Sequence, residues 1–159
     1  MAMHTWFECK IRYEKVMENG MQKKVTEPYL VDALSFTEAE ARIIEEMTPF
    51  ISGEFTVSDI KRANYSELFP SDEESADRWF KCKLIFITLD EKSGAEKKTS
   101  TQVLVQAADL RDAVKKLDEG MKGTMADYQI GMVSETPLMD VYPYSAEPND
   151  KPAFDPSKA

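Results

Sequence analysis

Trp6-Phe7-Glu8-Cys9-Lys10 returns as Trp79-Phe80-Lys81-Cys82-Lys83, a spacing of 73 (79 minus 6). The first stretch closes on Glu67-Leu68-Phe69-Pro70 and the second on Asp140-Val141-Tyr142-Pro143, again acid, aliphatic, aromatic, proline. In between, the spacing becomes 74 (94 minus 20) at Gly20 and Gly94 and holds through Leu30/Leu104, Ala39/Ala113 and Met47/Met121. It falls back to 73 at Phe55/Tyr128. Two small compensating length changes, both in loops, are the mark of a duplicated and diverged unit. Residues 6–70 and 79–143 therefore read as two repeats joined by the polar, acidic linker 71–78.

Within one repeat the hydropathy periods change in order. From Thr5 to Val16, Phe7, Cys9, Ile11 and Tyr13 alternate with Trp6, Glu8, Lys10 and Arg12, which predicts a strand with one buried face. Asn19-Gly20 is turn material, and Lys23 to Ala33 reads as the return strand of a hairpin. Ser35-Phe-Thr-Glu38 is a capping box, in which the serine accepts from the amide three residues on and the glutamate reaches back to the cap's own amide; Asp109-Leu-Arg-Asp112 does the same work with other residues. The stripes Phe36, Ala39, Ile43, Met47 and Leu110, Ala113, Leu117, Met121 predict helices lying on a sheet. A third extended segment follows in each repeat, Glu54 to Ile60 and Asp127 to Val133, then the short closing piece.

The expectation is thus an α+β protein, a tandem duplication of a ββαβ unit, with an antiparallel sheet and two helices packed on one face. Each repeat of roughly 70 residues would be marginal alone, so residues 1–143 are expected to form a single domain. Beyond Pro143 the proline-rich stretch 144–159 reads as a flexible tail.

The 159 residues carry a net charge of −9, which argues against general affinity for duplex phosphates. No apolar run approaches the ~20 residues of a membrane span, and Met1-Ala2-Met3-His4 lacks the basic and apolar regions of a signal peptide, so a cytoplasmic protein is expected. Cys9 and Cys82 are one position in two copies, best read as small buried residues; with only His4 beside them they cannot supply four zinc ligands. There is no Gly-rich phosphate loop, no His-Glu-x-x-His and no Gly-x-Ser-x-Gly. Glu67 and Asp140 form at most a pseudo-symmetric carboxylate pair without companions. The chain reads as a non-enzymatic binding protein with no cofactor and no metal.

Helix packing accounts for the agreement of Phe7 with Phe80 but not of Trp6 with Trp79, Lys10 with Lys83 or Leu30 with Leu104. The face of the sheet without helices is therefore expected to meet a partner. Trp6, Lys10, Arg12, Trp79, Lys81 and Lys83 are the candidate binding residues. Self-association is one use of such a face. Single-stranded nucleic acid is another, with indoles stacking on bases and cations following the backbone. The pairs Lys23-Lys24 and Lys97-Lys98 stand at the hairpin ends, as edge protection or as a phosphate grip. A third class is an acidic inhibitor or adaptor of another protein, presenting Glu38, Glu45, Asp112 and Glu119 where phosphates would lie.

The wording Trp6-Phe-Glu-Cys-Lys and then Lys24-Val-Thr-Glu-Pro-Tyr-Leu-Val-Asp-Ala-Leu-Ser-Phe-Thr-Glu-Ala-Glu-Ala-Arg42 resembles a small uncharacterised family of gut Bacteroidetes, their phages and mobile elements, over nearly the whole chain to about Pro143. That family is known as a domain of unknown function. The resemblance implies a bacterial or phage cytoplasm and an accessory role in DNA-related biology, and carries over no site residue.

Overall fold

The computed structural model describes residues 5–124 and 127–143. His4 and the expected tail 144–159 lie outside the described residues. The protein is α+β, and its described residues form two helices and eight strands in two four-stranded sheets. It divides into two compact units, residues 1–63 with the segment from 140 on, and residues 64–139.

In the first unit, β1 (Trp6–Val16) and β2 (Gln22–Asp32) form an antiparallel hairpin in which Phe7 faces Val31 and Ile11 faces Glu27. Gly20 closes the turn at φ +84, a left-handed conformation that favours glycine. Helix α1 (Phe36–Met47) follows, and β3 (Phe55–Ala63) pairs antiparallel with the other side of β1. The sheet order is β3-β1-β2-β8, where β8 (Val141–Tyr142) runs parallel to β2. Odd positions of the hairpin, Phe7, Cys9, Ile11, Val31 and Ala33, close one core with Ala39, Ile43 and Met47 of α1. The alternation of the strands and the helical stripe thus meet on one face, which is how an amphipathic helix gains its stability.

The second unit has the same order of elements, β5 (Arg78–Leu89), β6 (Glu96–Ala107), α2 (Leu110–Gly120) and β7 (Asp127–Glu135). Its sheet order is β4-β6-β5-β7, and β4 (Glu67–Phe69) runs parallel to β6. Phe80, Cys82, Leu84, Val103, Val105 and Ala107 pack with Ala113, Leu117 and Met121. Both hairpins carry a register shift at the same place, Lys10/Ile11 against β3 and Lys83/Leu84 against β7. Both helix caps are reciprocal: Ser35 Oγ accepts from the Glu38 amide and Asp109 Oδ1 from the Asp112 amide. The returning carboxylates reach the amides of Leu34 and Ala108, one residue before the expected cap amide. Phe36 and Leu110, at the head of each stripe, are exposed.

Two expectations need correction. One antiparallel sheet bearing both helices is replaced by two mixed sheets, each with one helix. The closing segments also do not stay with their repeats, because the units divide at 63/64 and 139/140 rather than as 6–70 and 79–143. The reason is topological: β3 lies beside β1, so the residues after it are on the wrong side of the sheet to reach the free edge of β2. That edge is filled in parallel by β8, from the other repeat, and the edge of β6 by β4. Parallel pairing needs a long connection, which the exchange supplies. The linker 71–78 is held in place, for the Ser71 amide donates to Gln106 Oε1 at 2.9 Å and Ala76 is buried.

Candidate functional site

The strand alternation holds for the six candidate residues: Trp6, Lys10 and Arg12 share one face of β1, and Trp79, Lys81 and Lys83 one face of β5, away from the helix cores. The indoles, however, are not open. Trp6 is 2 % exposed and Trp79 5 %, and Leu30 and Leu104 on the same faces are fully buried. At that burial neither ring is free to stack on a base. That expectation is corrected. The cations divide as well. In the first unit the register sets Lys10 opposite Asp59 and Glu8 opposite Lys61, so opposite charges alternate across the strands, while Arg12 is exposed beside Thr26 and Thr56.

In the second unit Lys81 and Lys83 have neutral neighbours, Leu104 and Ser134 for the first, Gln102 and Met132 for the second. Lys83 is half-buried and lines a cleft of about 280 Å³ with Asn64, Ser100, Thr101 and Gln102. The chain enters this cleft firmly held. The Ser66 amide and hydroxyl both donate to the Gln102 carbonyl, at 2.8 and 3.1 Å, and the Thr101 hydroxyl donates to Ser66 Oγ at 2.9 Å.

The first unit carries a polar cluster that strand alternation alone did not single out. Glu27 is 9 % exposed on the helix face of β2. The Tyr13 hydroxyl donates to its Oε1 at 2.8 Å, the Tyr29 hydroxyl donates to the same oxygen at 3.3 Å, and Lys15 Nζ stands 3.6 Å from Oε2. Tyr29 stacks on Tyr142 of β8 at 6.2 Å. Burial first, then the bond to Glu27, pushes the Tyr13 hydroxyl up to about 12; burial raises Tyr29 too, and raises Tyr142 to about 12. The corresponding residues of the second unit are Phe86, Thr101 and Val103, so the fold does not require the carboxylate. The signal available in the sequence was the mismatch between the copies.

Beside this cluster Tyr13, Lys15 and Val16 line a second cleft of about 280 Å³ with Phe50 and Ile51. Val16, Met21 and Phe50 are 65 %, 67 % and 76 % exposed, and Met17 lies next to them in the turn, its amide donating to the Met21 carbonyl. The end of the first unit is thus apolar.

Other groups are internally satisfied. Lys116 borders a cleft of about 610 Å³ next to Phe69 and Gly120, but Glu73 at 2.7 Å and Asp112 at 3.0 Å neutralise it. Burial pushes the Cys9 thiol up to about 12 and the Cys82 thiol to about 11, which makes both poor nucleophiles. Glu67 opens β4 in the second unit, and Asp140 in the first accepts from the Val141 amide at 2.8 Å. Among the described residues no group of three or more His, Cys, Asp or Glu is placed to hold a metal ion, and no helix is long and apolar enough to cross a membrane.

Residues 5–144 match the family described as Domain of unknown function (DUF4494), and the chain belongs to that family. No curated protein matches the chain.

Proposed function

We propose that this is a non-enzymatic accessory protein of the bacterial or phage cytoplasm that acts by binding, and that it self-associates through the apolar end of its first unit. The observation that supports this reading is the exposure of Val16 and Phe50 at one cleft and of Met21 in the turn that follows Val16. The fold does not demand these side chains. Asp90 and Ala95 stand in the second repeat where Met17 and Met21 stand in the first. Large apolar groups exposed together are the usual mark of a contact surface, and a twofold contact would bring each of them to its own copy. The helix-free faces are less suited to that role because their tryptophans are already buried.

Sedimentation equilibrium tests the reading. Wild-type protein is expected to form dimers at micromolar concentration, more tightly as salt screens the mutual repulsion of chains carrying −9 each. Phe50→Ser with Met21→Lys should be monomeric and fully folded. A wild-type chain that stays monomeric at every salt concentration would overturn self-association and leave a different protein as the partner.

A further inference from the structure

We propose that the cleft around Lys83 in the second unit is a binding site for a phosphate-type oxyanion. Lys83, Asn64, Gln102 and Ser100 bring one ammonium, two carboxamides and one hydroxyl to its lining, Thr101 turns its hydroxyl to Ser66, and no carboxylate lines it. Apart from Thr101, which donates to Ser66, none of these side chains makes a hydrogen bond or ion pair among the described residues. Lys83 is the unusual one. It is half-buried as a residue and has no counter-ion among the described residues, whereas Lys116 in the same unit has two. The carboxamides and hydroxyl beside it add N–H and O–H donors, and a tetrahedral anion supplies several acceptor oxygens at once.

The chain's overall negative charge does not cancel this local field. The cross-strand neighbours of Lys83 are Gln102 and Met132, and those of Lys81, two residues back on the same face, are Leu104 and Ser134. Lys81 is therefore about 6.7 Å away along the strand, within a Debye length of a bound anion at physiological salt. The cleft's floor is fixed, because the Gln102 carbonyl is held twice by Ser66, so the donors need little reorganisation. Glu27 and Pro28 of the first unit stand where the second has Thr101 and Gln102, and the position of Asn64 corresponds in sequence to Pro137, so this set of residues occurs only once.

Amide chemical shifts of the full chain, followed during titration with inorganic phosphate and separately with a short oligo-dT, test the proposal. Resonances of Lys83, Ser100 and Gln102 are expected to move saturably with at least one of them. Lys83→Gln should weaken binding about tenfold or more while Lys83→Arg retains most of it. A response to phosphate alone would mark a free phosphate as the source of the group; tighter binding of the oligonucleotide, weakening as salt rises, would mark a phosphodiester backbone. No saturable shift with either anion, or binding unchanged in a folded Lys83→Gln protein, would overturn the site.

Discussion

Glu27 is the least economical residue of the first core, and its cost can be worked from its partners. Tyr13→Phe removes one 2.8 Å bond to a carboxylate but leaves Tyr29 and Lys15 in place. A hydrogen bond to a charged group contributes roughly 1.5–3 kcal/mol, and because Tyr13 is only half-buried the loss should fall near the lower end, about 1.5 kcal/mol. Glu27→Ala is worse. It strands two tyrosine hydroxyls beside the core and empties a volume, for about 2–4 kcal/mol. The combined variant Tyr13→Phe, Glu27→Met, Tyr29→Phe removes the carboxylate and both hydroxyls at similar volume, leaves Lys15 to the solvent it already reaches, and should lie within about 1 kcal/mol of wild type, as replaced buried ion pairs often do. Urea unfolding of the singles, the pairs and the triple, followed by circular dichroism, measures this cycle. A coupling of about 1 kcal/mol or more is expected. Additive losses, or a triple variant as unstable as Glu27→Ala, would refute the claim that these groups form one network.

The same tyrosines predict an alkaline transition. Their hydroxyls are raised in the folded state, Tyr13 and Tyr142 from 10 to about 12, so the stability they contribute is complete below pH 10 and is lost as pH rises through about 12. Tyrosinate absorbance followed alongside circular dichroism should show late tyrosine ionisation coincident with loss of structure, and Tyr13→Phe should shrink that late step. Trp79→Ala should cost about 3–5 kcal/mol of stability, because the indole is buried and its loss leaves a cavity. A variant with wild-type urea midpoint would show that the ring is not part of the folded interior.

Much of this fold is legible locally. The alternation of Phe7, Cys9 and Ile11 with Trp6, Glu8 and Lys10 assigns the strand faces correctly, because side-chain direction on a strand follows from the backbone pleat alone. Ser35 and Asp109 announce both helix starts for a similarly local reason, as a cap bonds only within its own turn. The tertiary structure alone decided where Leu68-Phe69 and Val141-Tyr142 pair, since an edge strand of two or three residues fits any open edge and the choice depends on which edge the preceding chain can reach. It likewise decided that Trp6 and Trp79 are covered, a matter of what lies against a face rather than of which face it is. The donor-lined cleft at Lys83 also needed three dimensions, because Asn64 lies 19 residues (83 minus 64) from Lys83 and on a different segment from Gln102, and only the exchanged strand brings them together.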